Sequence, residues 1–454
     1  MREGSLEAPV RHPIDWENPD FTDEAKLDAE MRRIFDICHS CRRCFNLCDS
    51  FPRLFDLVDA TKVGEVEGVA SADFGQVVDA CTLCDMCFMT KCPYVPPHEF
   101  NVDFPHLMLR YRAAELKQKG LPWPERRLAE TDLNGRLAGR VAPLSNWAVK
   151  TGNGLTRPLL EKAAGIDRRA ELPHFQSPSF AARAAKSPPA VNREAPAFGR
   201  KAVLYASCLV NYSEPQIGEA ARAVLTRNGV ETEVVYPACC GMPKLERGDL
   251  AAVAEAARTV SAALLPWAEK GHDVIALIPS CALMLKFEWP LITPKDAGVK
   301  RLSDATFDLS EYVVDIARKE GLAPGLRPLD GGVALHIACH ARAQNMGQKG
   351  AEMLRLIPGA DLAVMERCSG HGGSWGVMKR NFDGAMKVGK PVMRQAAKSG
   401  KRYLASECPL AAMHLAQGVA AIDGGAPAPA MESVSHPIEL MALAYGFSQT
   451  GEGA

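Results

Sequence analysis

CTLCDMCFMTKCP, residues 81–93, sets Cys81, Cys84 and Cys87 two residues apart and brings a fourth cysteine, Cys92, after a longer gap and directly before Pro93. A run of the same kind, CHSCRRCFNLC over residues 38–48, carries Cys38, Cys41, Cys44 and Cys48. Three cysteines at this spacing curl one turn of backbone around three iron corners of a cubane and leave the fourth corner to a more distant thiolate. In the two-cluster pattern that fourth cysteine serves the other cluster. The spacing therefore predicts two [4Fe-4S] clusters, one on Cys38, Cys41, Cys44 and Cys92, the other on Cys81, Cys84, Cys87 and Cys48. Zinc knuckles use separated C-x2-C pairs, and three consecutive cysteines occurring twice is not their habit. Two departures concern the local turns: Asp49 follows Cys48 where proline is common, and four residues, Phe88 to Lys91, precede Cys92.

The 454 residues are 47% apolar, enough for a substantial core and two or three domains. A formal net charge of -1 lacks the basic surplus of a nucleic-acid binder, so no nucleic-acid partner is expected. The N-terminal residues carry charges and prolines where a secretory signal would be apolar, and no apolar run approaches the roughly 20 residues that span a bilayer. The longest, around Val274 to Leu285, reads as a buried strand leading into a turn. A cytoplasmic protein is expected, and there fifteen cysteines favour metal ligation over disulfides.

Outward from the cysteine runs, few β-branched alternations occur, and residues 1–135 read as a mainly α-helical ferredoxin domain with a helix over His106 to Lys119. Residues 136–200 form a helical extension and a proline-rich linker, the linker from Leu172 to Arg200. Within the extension, Arg136, Arg140, Lys150, Arg157 and Lys162 alternate with Leu137, Val141, Leu144, Trp147, Leu155 and Leu159. Such a segment either docks on a membrane surface or partner subunit or packs on its own domain.

The other seven cysteines lie in a diverged internal repeat, residues 201–325 and 326–454. In the first copy, strand-like runs end at Cys208, at Cys239-Cys240-Gly241 and at Cys281; in the second, at Cys339, at Cys368-Ser369-Gly370 and at Cys408. Equivalent cysteines stand about 130 residues apart throughout, which duplication explains. Helical patterns follow, at Pro215 to Asn228, Leu250 to Lys270 and Asp383 to Ser399, so each copy reads as parallel α/β units with ligands beyond the carboxyl ends of the strands. Gly241, Gly370, Gly372 and Gly373 would let backbone N–H groups approach bridging sulfides. The first copy supplies four thiolates and the second three, which leaves its fourth position to His371, His340 or His414, or open. One further iron-sulfur centre is the most these repeats are expected to add.

The duplicated Cys-Cys-Gly pattern resembles the cysteine-rich domain of heterodisulfide reductase. The order of parts is similar to that of the iron-sulfur subunit of anaerobic glycerol-3-phosphate dehydrogenase. CRRCFNLCDSFPRLFDLVD, CTLCDMCFMTKCPYVPPHEFNVDFPHLMLR and ERCSGHGGSWG look like a bacterial branch of that iron-sulfur oxidoreductase family, whose members are often associated with rubrerythrin. The resemblance implies five cysteines per repeat and a non-cubane cluster that attacks disulfides. Here Met284 and Ala411 occupy the closing positions and Ser369 replaces the second member of the pair, which puts that centre and its disulfide chemistry in doubt.

An α+β multidomain chain thus emerges, a helical two-cluster ferredoxin domain followed by a duplicated α/β cysteine-rich domain. Its expected role is an electron-transfer oxidoreductase subunit, relaying electrons between a partner redox protein, a flavoprotein dehydrogenase or a rubrerythrin-like protein, and an acceptor. A disulfide or heterodisulfide reductase with its own centre in the C-terminal repeats is the alternative, and a zinc-stabilised scaffold the third. No G-x-G-x-x-G follows a strand and no C-x-x-C-H is present, so a flavin or nicotinamide must come with the partner. Contact with a membrane or a quinone would come through that partner or at the periphery.

Overall fold

The computed structural model describes residues 7–422, 431–434 and 436–447. Every named element before residue 200 is helical. Helix α1, Glu24–Cys41, is capped by the Asp23 carboxylate, which accepts the Lys26 N–H, and buries Leu27, Met31, Ile34 and Phe35. It stops where Arg42 turns left-handed (φ 49°), so Cys38 and Cys41 occupy its last turn. Helices α2, Ser50–Asp59, α3, Phe74–Ala80, and α4, Phe104–Lys119, complete the bundle. Its centre is aromatic: Phe35 meets Phe74 edge-on at 5.1 Å, and Phe51 lies 4.6 Å from Phe104. The two cysteine runs are the loops between these helices.

Four helices, Trp123–Ala129, Thr131–Arg140, Ala142–Val149 and Thr156–Ala164, follow. Between Leu172 and Arg200 a short helix, Phe180–Lys186, buries Phe180 against Gly218, where a Cβ would lie 2.4 Å from the ring.

Two four-stranded sheets then repeat one topology. The first pairs β1, Lys201–Tyr205, β2, Glu231–Val235, β3, Asp273–Ala276, and β4, Thr306–Asp308, in the order β2-β1-β3-β4. The second pairs β5, Val333–His336, β6, Leu362–Met365, β7, Tyr403–Ser406, and β8, Glu432–Val434, in the order β6-β5-β7-β8. All six pairings are parallel. The inner strands are apolar without alternation, because helices cover both faces: β5 and β7 are buried throughout. The turn expected after the Val274 run is instead a helix, Pro279–Leu283, since Pro279 suits a first helical turn. Helices Pro215–Arg227 and Leu250–Glu269 end one residue earlier than expected, and Phe382–Ala397 starts one residue and ends two residues earlier.

Candidate iron-sulfur sites

Cys38, Cys41, Cys44 and Cys92 line one small cavity with Ile37, Phe51, Phe55 and Val102. Burial pushes the Cys38 thiol well up, and the charges of Cys92, Cys44 and Cys41 push it further. Burial likewise raises Cys44 to about 12, with Cys92 and Cys41 adding, and Cys92 to about 11. A second group forms around the other run. Burial raises Cys48, then the charges of Cys84 and Cys81. Cys87 is raised by burial and then by Cys84, Cys81, Cys48 and Cys44, which places the two groups side by side. Each run thus delivers its last cysteine to the other group.

Four thiols driven into apolar surroundings and repelling one another as anions suit a core that carries positive charge. Among the described residues no three His, Cys, Asp or Glu side chains close on a single metal ion. The backbone prepares the sulfurs for negative charge. N–H groups of Ser50 and Phe51 point at Cys48, Leu83 at Cys81, Met86 at Cys84, and Tyr94 and Val95 at Cys92. Each donor lies two or three residues after its cysteine, the arrangement that holds and tunes an anionic cluster.

The loop of the second run is held from outside. Leu83 and Asp85 both adopt left-handed backbone (φ 50° and 62°). Arg11 fixes Asp85 bidentately, Nη1 at 2.8 Å and Nη2 at 2.7 Å, and also reaches Asp103 at 2.9 Å and Glu288 at 3.1 Å. Behind Cys81 stands Arg112, which donates to the carbonyls of Cys81, Val78 (2.8 Å) and Glu246 (3.0 Å).

In the first repeat every cysteine sits past a strand end. Cys208 opens the helix Cys208–Tyr212, Cys281 lies in Pro279–Leu283, and the pair Cys239-Cys240 follows β2. The Cys239 and Cys208 sulfurs are 3.7 Å apart, those of Cys281 and Cys240 3.3 Å. Hydrogen bonding with Cys208 and Cys240, with help from Thr131 and the Gly241 N–H, holds the Cys239 pKa well down. A cap covers it. Asp132 accepts the Cys239 N–H at 2.9 Å and the Tyr236 hydroxyl, and the Trp289 indole donates to the Cys240 carbonyl at 3.0 Å.

In the second repeat Cys339 opens the helix Cys339–Ala343, Cys408 precedes Pro409–Ile422, and Cys368 accepts the Gly370 N–H at 3.3 Å. After burial, the charges that raise Cys339 are Cys84, Cys368 and Cys408. Of the candidate histidines, His340 is engaged by Ser280 Oγ at 2.8 Å and the Leu83 carbonyl at 3.4 Å. His371 is buried, pushed down to about 3 by burial with His414 and His340 adding, and its Nε2 has no partner among the described residues. His414 Nε2 is also unpartnered among them, with the two rings 6.1 Å apart.

The cationic segment of the extension does not bury its apolar side. Leu137, Val141, Leu144, Trp147, Leu155 and Leu159 are all exposed, as is Trp123. They are seven of the fourteen large exposed apolar side chains among the described residues, gathered in the segment from Trp123 to Leu159. Among the described residues no helix is long and apolar enough to cross a membrane. Arg11, Arg112 and Asp132 escaped the sequence reading because each acts on a cysteine segment far away in the chain. An arginine preceding a cysteine-rich run carries no spacing signal.

Comparison with known proteins agrees with the repeat. The family described as Cysteine-rich domain matches residues 202–286 and 333–416. A subunit of the anaerobic glycerol-3-phosphate dehydrogenase of Escherichia coli (strain K12) is 30% identical over 286 residues, 62% of this chain and 69% of the relative. A subunit of the fumarate reductase (CoM/CoB) of Methanothermobacter marburgensis is 28% identical over 223 residues, 48% of this chain and 42% of the relative. Lactate utilization protein A of Bacillus cytotoxicus is 28% identical over 189 residues, 39% of this chain and 74% of the relative.

Proposed function

Because the chain belongs to the family of that anaerobic glycerol-3-phosphate dehydrogenase subunit, we propose that it is an iron-sulfur electron-transfer subunit of a redox complex. The observation that carries this reading is the exchange of cysteines between two adjacent four-thiol groups, each sulfur run met by backbone N–H donors. Cys38, Cys41, Cys44 and Cys92 would hold one [4Fe-4S] cluster, and Cys48, Cys81, Cys84 and Cys87 the other, in a ferredoxin-type domain. Bound there, the clusters would supply stepwise one-electron transfer.

The protein's own contribution is positioning and field. The N–H donors favour charge on the sulfurs, Phe51 and Phe55 line the first group's cavity, and Arg112 sets a cation behind Cys81. A substrate-oxidising flavin site is left to the partner, and the dehydrogenase and reductase relatives are themselves subunits. The exposed face of Trp123, Leu137, Leu144, Trp147 and Leu159, with Arg136, Arg140 and Lys150 beside it, suits assembly with that partner or a membrane periphery. Catalysis of disulfide reduction in the first repeat fits less well, since Cys239, Cys240 and Cys281 are buried and Asp132 closes over them.

The test is anaerobic isolation of the tagged chain from its own cells with EPR of the recovered material. A flavoprotein or other redox protein in stoichiometric amount, and reducible cluster signals, are expected. A chain that comes alone and EPR-silent after reduction contradicts the reading.

A further inference from the structure

The second repeat has three thiols where the first has four, Ser369 standing in place of the lost one. The loop of the second N-terminal run is wedged into that gap. Thr82 packs under Gly372, where a Cβ would come within 2.5 Å of Thr82 Cγ2, and the Leu83 carbonyl faces His340 Nε2 at 3.4 Å. Gly372 is in the loop that follows Cys368, and His340 is the residue after Cys339. The two residues that precede Cys84 are thus clamped between the segments of two second-repeat cysteines.

We infer that Cys84 serves two centres: it belongs with Cys48, Cys81 and Cys87, and it also completes, with Cys339, Cys368 and Cys408, a polynuclear iron-sulfur site that the second repeat alone lacks the thiol to fill. The inference rests on the iron-sulfur reading proposed above. Electrostatics agree with the placement. Beyond burial, which takes Cys84 to about 12, the first charge to raise it is that of Cys368, ahead of Cys81, and Cys339 feels Cys84 before its own repeat's cysteines. A single thiolate has the lone pairs to bond iron on two sides. The first repeat is no competitor for Cys84, because its four sulfurs pair with one another under the Asp132 cap.

The experiment compares the wild-type chain with C84S, C87S, C368S and C240S, each purified anaerobically, by iron and sulfide content and by EPR after reduction. C368S is expected to lose the iron of one centre, about four atoms for a cubane-sized cluster, and to change the EPR of an N-terminal cluster. C84S should lose more iron than C87S, and C240S should leave both the N-terminal signals and the Cys368 centre intact. Equal iron loss from C84S and C87S, or a C368S variant with unchanged iron and spectrum, would overturn the inference. If C84S fails to fold, C368S and C339S decide alone: each must alter an N-terminal EPR signal that C240S leaves alone. Wild-type protein free of iron would defeat the iron-sulfur reading itself, a separate outcome.

Discussion

Arg112 shows how much one side chain controls. Its guanidinium has hydrogen bonds to three backbone carbonyls, one of them that of Cys81, and burial pulls its pKa down while the Cys81 charge works against that. A cation so placed favours the more negative, reduced state of whatever Cys81 binds, because little water intervenes to screen it. Arg112→Gln should therefore shift the midpoint potential of one N-terminal cluster to more negative values and leave the other in place, read by EPR-monitored redox titration. Unmoved potentials would mean that the charge is screened. Gly370 is a second decisive position. At φ +81° it donates its N–H to Cys368, and an added Cβ would lie 2.1 Å from the Ala385 carbonyl oxygen. Gly370→Ala should cost about 1–3 kcal/mol of stability, measured by thermal or denaturant unfolding, and lower the iron bound by the second repeat.

At the scale of elements, the cysteine loop, the start of α4 and the first repeat are tied by one guanidinium. Arg11 pairs with Asp85 in the loop, Asp103 at the α4 N-cap and Glu288 after Pro279–Leu283, and His106 joins Asp103 and Glu288 at 3.2 Å each. Removing the cation leaves three enclosed carboxylates facing one another, so Arg11→Ala should destabilise by about 3–5 kcal/mol and loosen the Cys81–Cys87 loop, visible as faster cluster loss to a chelator. Wild-type retention of cluster in that variant would show that the loop holds itself. The sequence reading found the elements this knot joins but not the knot. Cysteine spacing reports ligands within a few residues of each other, and strand-to-cysteine order repeats along the chain, so both were legible. Arg11 to Glu288, or Cys84 to Cys368, are pairings that only the folded topology creates. The open fate of the extension had a similar cause, since the alternation of Arg and Leu over residues 136–162 is the same whether the apolar side meets a partner or the core.

For the whole molecule, buried neutral histidines weaken the fold in acid, while the Glu407 and Asp308 carboxyls, raised by burial to about 8 and about 6, work against them. His336 is pushed down to about 4 by burial, hydrogen-bonded to Ser406 Oγ at 2.8 Å and the Arg367 carbonyl at 3.0 Å. His436, pushed down to about 3 by burial, caps Pro437–Ala444 by accepting the Ile438 N–H at Nδ1. A depressed folded pKa means that the unfolded chain binds protons first. The stability these groups give is therefore present above about pH 6.5 and is lost as pH falls through 4 towards 3. Relative to wild type, His336→Gln should gain stability as pH falls from about 6.5 to 4, read from unfolding midpoints; an unchanged difference across that range would place the acid sensitivity elsewhere. The duplicated sheets and the interleaved cysteine groups pack into one continuous body. Two clusters on the eight N-terminal cysteines would be read out by iron, sulfide and zinc analysis of anaerobically purified protein. At least about eight irons with matching sulfide per chain, and a brown colour that dithionite bleaches, are predicted; colourless protein, or zinc in place of iron, would contradict it.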